Sequence, residues 1–521
     1  MESLKERLLK YYSWDEEEFA ANTREPSFSS FPDLSGDEEA EKARGRILSA
    51  AKRKEKVLLY GDYDTDGIMG TSILHAALRR IGIDAAYFIP SRYVDGYGLN
   101  QSNAERIAKA GYSLVLLVDN GVGCRLEIGF LKGKGVDVIV IDHHSIVGEP
   151  PSCCAFLHPL TLGIGKGGFN ISAGLLSFFF SRLILGVDDP YLLCLGAVST
   201  LSDMMPLTGI NREAVRLALK ILEKDPYPEL ALLCSGPKID EKALQMEAIP
   251  AINALGRMEE GHLTRRAVAY FSLRDPSKRL PLSSWMKEIN QRRKEMTKQA
   301  VASLPITPGA SGICVKSSLK EGLNGLLANR LMKLHRVPVA VFSPSYAEEG
   351  VLVGSLRSEE GFSVLDCFSA LSPYLLRCGG HERAGGLSLK EGDFPSFQKS
   401  FLSYCKEHPF SEEEDPGIPL RLSECTEESY SLLRQFAPFG QGHEEPVFVL
   451  SNLDVDSFQY SKDGKYLLTP LGYGVKMVSF SLGKKDFLLK SRTSLYARFV
   501  HNEYKGKQSL EIRVSSSSRN G

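Results

Sequence analysis

Four short apolar runs mark the first third of the chain: Val57–Gly61, Ala85–Ile89, Leu114–Val118 and Val136–Ile141. Each is rich in Val, Leu or Ile, and segments of helical length, such as Gly67–Arg80 and Ser102–Ala110, lie between them. Apolar strands alternating with helices predict βαβ units and a parallel sheet covered on both faces. Ala173–Val187 is apolar apart from Arg182. It falls short of the roughly 18–20 residues a membrane span needs, so it reads as a buried helix.

The grammar then changes twice. Ser283–Ser303 has helical patterning and a basic surplus: Lys287, Arg292, Arg293, Lys294 and Lys298 against Glu288 and Glu295. It reads as a connecting helix. A second α/β unit follows Pro305 and Pro308, with a helix at Leu323–His335, a strand at Val337–Phe342 and a glycine cluster at Gly379–Gly386. Glu412–Pro416 reads as an acidic linker. From Pro446 the pattern becomes five strand-like runs: Val447–Leu453, Tyr466–Pro470, Val475–Ser481, Ser494–Val500 and Ser509–Val514. A small basic β module of this kind suggests an oligonucleotide-binding barrel, on which Tyr460, Tyr466 or Tyr496 could stack bases.

Composition adds charge to this outline. The 521 residues carry 63 basic and 64 acidic side chains, which excludes a histone-like coat or a polybasic membrane binder. The balance is a cancellation. Residues 1–44 hold six basic and twelve acidic side chains, and residues 446–521 hold twelve basic and six acidic ones. Met1–Trp14 reads as an amphipathic helix without a signal-peptide core, and Gly36–Glu41 as a solvated linker. The ten cysteines form no CxxC spacing, so buried thiols in a reduced, cytoplasmic protein are expected.

Three of the four proposed strands run into acid. Val57–Gly61 leads to Asp62-Tyr63-Asp64-Thr65-Asp66-Gly67, Leu114–Val118 to Asp119-Asn120-Gly121, and Val136–Ile141 to Asp142-His143-His144. Ligands of open parallel sheets bind beyond the carboxyl ends of the strands, so these acids converge. A fourth, Asp203, closes the helix-like Tyr191–Ser202. The DxDxDG run also opens a calcium-binding loop, but the obligatory Glu at loop position 12 is here Ile73. Carboxylates so close repel by roughly 4 kcal/mol per pair at 4 Å unless cations intervene. Oxygen ligands with one or two imidazoles suit Mn²⁺ or Mg²⁺, which points to a two-metal site.

These residues resemble the DHH phosphoesterase superfamily, and within it the RecJ family of single-strand-specific 5′-to-3′ DNA exonucleases. Ser91-Arg92-Tyr93-Val94-Asp95-Gly96-Tyr97-Gly98-Leu99, Pro250–Met258, Gly354–Ser358, Gly379–Gly386 and Pro438–Gly442 carry the likeness beyond Asp142-His143-His144. The resemblance implies metal ligands among Asp62, Asp64, Asp66, Asp119, His143 and Asp203, with Asp119 bridging two divalent ions, Mn²⁺ or Mg²⁺. It implies that His144 contacts the scissile phosphate or moves a proton. It also implies that Arg92, Arg257, Ser355 and Arg357 hold the 5′-phosphate end, and that His381 lies on the substrate side.

The implied architecture is α/β: an N-terminal helix and acidic linker (1–45), a parallel-sheet DHH domain (46–282), a long helix (283–303), a smaller α/β DHHA1 domain (304–410), a linker (411–445) and an OB-like β-barrel (446–521). The implied partners of this monomer are single-stranded DNA, a single-strand-binding protein and a RecQ-type helicase, in DNA repair and recombination. Two departures stand out: Leu319-Lys320 replaces the family's Trp-His pair, and His443 an Asn, which reads as a surface change. The rival readings are a phosphodiesterase of short oligoribonucleotides or cyclic dinucleotides, and a non-catalytic single-strand-binding scaffold.

Overall fold

The computed structural model describes residues 2–164, 170–236, 238–258, 263–272, 276–307, 309–409, 416–472, 474–488, 490–504 and 507–517. Two compact units emerge: Ser27–Glu413, and Met1–Pro26 together with Glu414–Gly521.

The larger unit opens on a sheet of β1 (Val57–Tyr60), β2 (Ala86–Phe88), β3 (Leu114–Val118), β4 (Asp137–Ile141) and β5 (Ala155–Leu157). Its order is β2-β1-β3-β4-β5 and every pair is parallel. Alternate residues explain the double covering. Leu59, Leu116, Val118, Ile139 and Ile141 enter one core, while Leu58, Val115, Leu117, Val138 and Val140 enter another on the opposite face. The strand order reverses between β1 and β3, which opens a crevice at their carboxyl ends. That crevice receives Asp62 and Asp119. The apolar run near residue 180 is the helix Ala173–Leu185, buried within the first core.

Two readings of the chain change here. β5 escaped the pattern because it is only three residues long, and it is paired through Ile139 and Ile141 of β4. The polar run at 36–41 is no solvated linker: Asp37 caps the helix Glu38–Arg53, whose Ala40, Ala43, Ile47 and Ala50 are buried. Glu39 in its first turn accepts the Phe156 N–H at 2.7 Å, tying this helix to β5.

The helix Arg279–Ser303 leads to the second sheet. It contains β6 (Ile313–Lys316), β7 (Val339–Pro344), β8 (Val351–Arg357), β9 (Arg377–His381) and β10 (Ala384–Lys390), in the order β6-β7-β8-β10-β9. Only β6 and β7 run parallel; the glycine cluster forms the β9–β10 hairpin.

The smaller unit holds a six-stranded sheet from Ile418 to Ser517, ordered β11-β12-β15-β16-β14-β13. Its strands are β11 (Ile418–Pro419), β12 (Phe448–Asp454), β13 (Leu467–Gly472), β14 (Val475–Ser479), β15 (Arg492–Tyr504) and β16 (Lys507–Ser517). Ile418, Leu420 and the helix Glu427–Gln435 belong to this unit, so residues 416–445 are part of its fold. The acidic run 411–415 lies outside the described residues. His443 is buried rather than superficial. Its ring stacks on Tyr12 at 4.2 Å and on Trp14 at 5.0 Å, and its Nε2 meets the Phe436 carbonyl at 2.7 Å. The N-terminal helix Leu4–Tyr11 therefore packs with the β unit. Among the described residues, no helix is long and apolar enough to cross a membrane.

Leu116 lies at the centre of the first sheet with no exposed surface. Leu116→Ala should lower unfolding free energy in urea by about 2–5 kcal/mol. Leu126→Ala, at a side chain 82% exposed, should change it by less than about 0.5 kcal/mol.

Candidate active site

The acids reach the crevice by three local devices. Asp64 caps the helix Thr65–Arg80 by accepting the Gly67 N–H at 3.2 Å, which places Asp66 in its first turn. Gly67 is required there, because a Cβ would lie 2.5 Å from the Asp62 backbone nitrogen. Asp119 turns the chain off β3 with φ +62°, a left-handed conformation that costs a non-glycine residue about 1–3 kcal/mol. Asn120 holds that turn by donating to the Val118, Tyr60 and Gly61 carbonyls. Asp203 ends the helix Pro190–Ser202.

These side chains form three groups whose candidate ligand atoms lie within 4.8 Å of one another: Asp62, Asp64 and Asp119; Asp66, His143 and Asp203; and Asp119, His143 and His144. His143 Nε2 is 3.4 Å from carboxylate oxygens of Asp66, Asp119 and Asp203. Neither of its ring nitrogens has a hydrogen-bond partner, nor do Oδ1 of Asp62 or Oδ1 of Asp119, although all are buried. Buried donor atoms left unpaired fit cation coordination. Asp66 differs: the Ala173 and Gly174 N–H groups donate to it at 2.9 and 2.7 Å, and the Ser199 hydroxyl donates as well. Those bonds fix its orientation.

Electrostatics agrees with the geometry. Burial and neighbouring carboxylates push the Asp62 and Asp119 carboxyls well above their ordinary range, and Asp203 up to about 8. Asp142 belongs to a different arrangement. Burial would raise it, but the His144 hydrogen bond at 2.8 Å and backbone donors outweigh that and hold it at about 2. Burial likewise opposes charge on His144, but Asp142 and the nearby acids raise it to about 9. The Tyr97 hydroxyl lies 3.1 Å from the same ring and donates to the Asp119 carbonyl at 3.2 Å.

A second, basic group lies in the same unit. Ser355 and Arg357, on β8, are bonded to each other at 2.7 Å. A Cβ on Gly325 would lie 2.7 Å from the Arg357 guanidinium, and one on Gly322 would meet the Tyr93 hydroxyl, the Arg257 carbonyl and the Arg92 side chain. Arg257 donates to the Gly322 carbonyl at 3.2 Å. Burial, then the charges of Arg92 and Arg293, lower the Arg257 guanidinium to about 10. None of these four arginines pairs with a described carboxylate within 4 Å. Guanidinium groups gathered with no carboxylate in ion-pair contact suit a phosphate. In the sequence Arg293 reads only as one charge of a basic helix, and its spacing gives no signal of the neighbouring Arg257. His381 stands apart, at the exposed end of β9 opposite Ala384.

Comparison with known proteins adds to this geometry. The DHH family N-terminal domain matches residues 56–181, and the RecJ OB domain matches residues 418–516. The chain is thus similar to DHH-family proteins over its first sheet and to RecJ proteins over its C-terminal β unit. Curated relatives named single-stranded-DNA-specific exonuclease RecJ, from Bacillus subtilis and Haemophilus influenzae, are 26% and 27% identical over 91% of this chain. The chain spans 62% and 89% of their respective lengths. A crystal structure of Thermus thermophilus RecJ with Mn²⁺ shares the fold, with TM-score 0.82 at 23% identity over 99% of this chain and 76% of that one. A manganese-bound exonuclease RecJ structure is 26% identical, with TM-score 0.62 over 73% of this chain and 97% of that one.

The raised carboxyls set a sign. In the metal-free protein, Asp62, Asp119 and Asp203 bind protons more tightly folded than unfolded, so they favour the fold at low pH. That contribution is lost as pH rises above the ordinary carboxyl range, and for Asp203 as it passes through about 8. In EDTA, the pH dependence of thermal unfolding should therefore weaken in Asp203→Asn between pH 5 and 8. Mn²⁺ should raise the wild-type melting temperature most at the alkaline end.

Proposed function

We propose that the protein is a metal-dependent exonuclease that degrades single-stranded DNA from its 5′ end and releases 5′-mononucleotides. The observation that carries this reading is the pairing, in one unit, of three metal-compatible groups with arginines that lack carboxylate partners. The metal-bound RecJ structures and the RecJ OB domain match support it.

Asp62, Asp64 and Asp119 would hold one divalent ion, and Asp66, His143 and Asp203 another, with Asp119 bridging them. Bound there, Mn²⁺ or Mg²⁺ would supply a hydroxide nucleophile at neutral pH and neutralise charge on the oxygens of an in-line displacement. The residues of the chain do the rest. Arg92, Arg257, Ser355 and Arg357 grip the terminal phosphate and so place the next phosphodiester over the acids. His144, hydrogen-bonded to Asp142, donates a hydrogen bond or a proton to the phosphate oxygens. His381 lines the path of the strand. The β unit tracks the phosphate backbone with its surplus of basic side chains. The reading extends to a cytoplasmic monomer in DNA repair and recombination, acting on strands opened by a RecQ-type helicase and coated by a single-strand-binding protein.

Single strands labelled at the 5′ or the 3′ end, with Mn²⁺ or Mg²⁺, test the proposal directly. A 5′ label should appear at once as mononucleotide, while a 3′ label persists in shortening strands. Dinucleotides should be poor substrates, and rapid cleavage of them alone would favour a short-oligonucleotide phosphodiesterase. Asp119→Ala should slow hydrolysis by about a hundred- to a thousandfold, the worth of several kcal/mol of metal stabilisation.

A further inference from the structure

The acidic and basic groups meet at one side chain. Tyr63 sits between Asp62 and Asp64, and the Arg92 guanidinium lies over its ring, 4.3 Å from the centroid. The Arg92 Nε is buried without a hydrogen-bond partner, and the ring offers the guanidinium an attractive face. The Tyr63 backbone is held from the other side: a Cβ on Gly256 would lie 2.6 Å from the Tyr63 carbonyl oxygen, and Gly256 precedes Arg257. One turn earlier, Asn253 of the same helix accepts the Thr65 N–H at 2.9 Å and its hydroxyl at 3.0 Å. Tyr63 is thus wedged between the loop carrying two candidate metal ligands and the two arginines nearest that loop.

We propose that Tyr63 is a positioning residue, which fixes the span from the phosphate-gripping Arg92 to the metal-holding acids and so sets the cut at one nucleotide from the end. The inference rests on the nuclease reading above and adds the register of its cleavage. A cation resting on a ring face needs the π system but not the hydroxyl, so the aromatic ring is the element that matters. Without it, Arg92 swings over a range of positions and the terminal phosphate no longer seats at one distance from the acids.

The test uses the full chain as Tyr63→Phe and Tyr63→Leu, each with and without Arg92→Gln. Binding of 5′-phosphorylated against 5′-hydroxyl single strands is measured in EDTA, where no hydrolysis occurs. Product size is then measured with Mn²⁺. Wild type and Tyr63→Phe should prefer the 5′-phosphate equally and release mononucleotides. Tyr63→Leu should lose about tenfold of that preference and release mono- and dinucleotides together, and its effect on binding should vanish in the Arg92→Gln background. Equal behaviour of the Leu and Phe variants, or a Leu effect of the same size without Arg92, would overturn the inference. A wild type that prefers the 5′-phosphate in EDTA but hydrolyses nothing with Mn²⁺ would sink the nuclease reading alone, leaving the Tyr63–Arg92 contact to be judged on binding.

Discussion

Mutual repulsion among buried carboxylates is the constraint on which this structure turns. Asp62, Asp66 and Asp119 are almost fully buried, and Asp64 and Asp203 stand beside them. At 4 Å each pair of charges opposes the others by roughly 4 kcal/mol at an effective dielectric of 20. A fold stabilised by roughly 5–15 kcal/mol in total cannot carry several such pairs uncompensated. Protonation is one relief, and the raised carboxyls express it. Divalent cations are the other, and they turn an electrostatic burden into a reactive centre.

The surrounding architecture answers that constraint. The parallel sheet supplies a rigid frame at the carboxyl ends of the neighbouring strands β1 and β3, and its two apolar cores hold the strand ends that carry Asp62 and Asp119. The left-handed turn at Asp119 and the amide clamp of Asn120 are local costs accepted to aim one carboxylate inward. Opposite charge is kept apart in sequence but not in space. Arg92 comes from the loop after β2, Arg257 from the helix Ile249–Met258, Arg293 from the connecting helix and Arg357 from β8. The arginine group therefore draws on both halves of the larger unit.

The strands ending in acid were legible in the sequence because alternating apolar runs and strand-end chemistry are local signals. Asp62, Asp64, Asp66, Asp119, His143 and Asp203 all fall in the metal-compatible groups. What the sequence hid was tertiary. β5 is three residues beside a Cys-Cys pair, too short for a period to register. The helix Glu38–Arg53 looks solvated because three alanines and a single large apolar side chain, Ile47, form its buried stripe. His443 looks like a surface polar residue until its aromatic neighbours arrive from the opposite end of the chain. Tyr63 reads as a spacer between two aspartates, since nothing local announces the arginine above its ring.

In the proposed nuclease, these acids would hold a pair of ions joined through Asp119. Manganese stoichiometry by native mass spectrometry, with electron paramagnetic resonance of the same sample, tests it most directly. The account predicts two Mn²⁺ per chain with the magnetic coupling of a bridged pair, and loss of that coupling in Asp119→Asn. A single ion, or two uncoupled ions unaffected by Asp119→Asn, would contradict it.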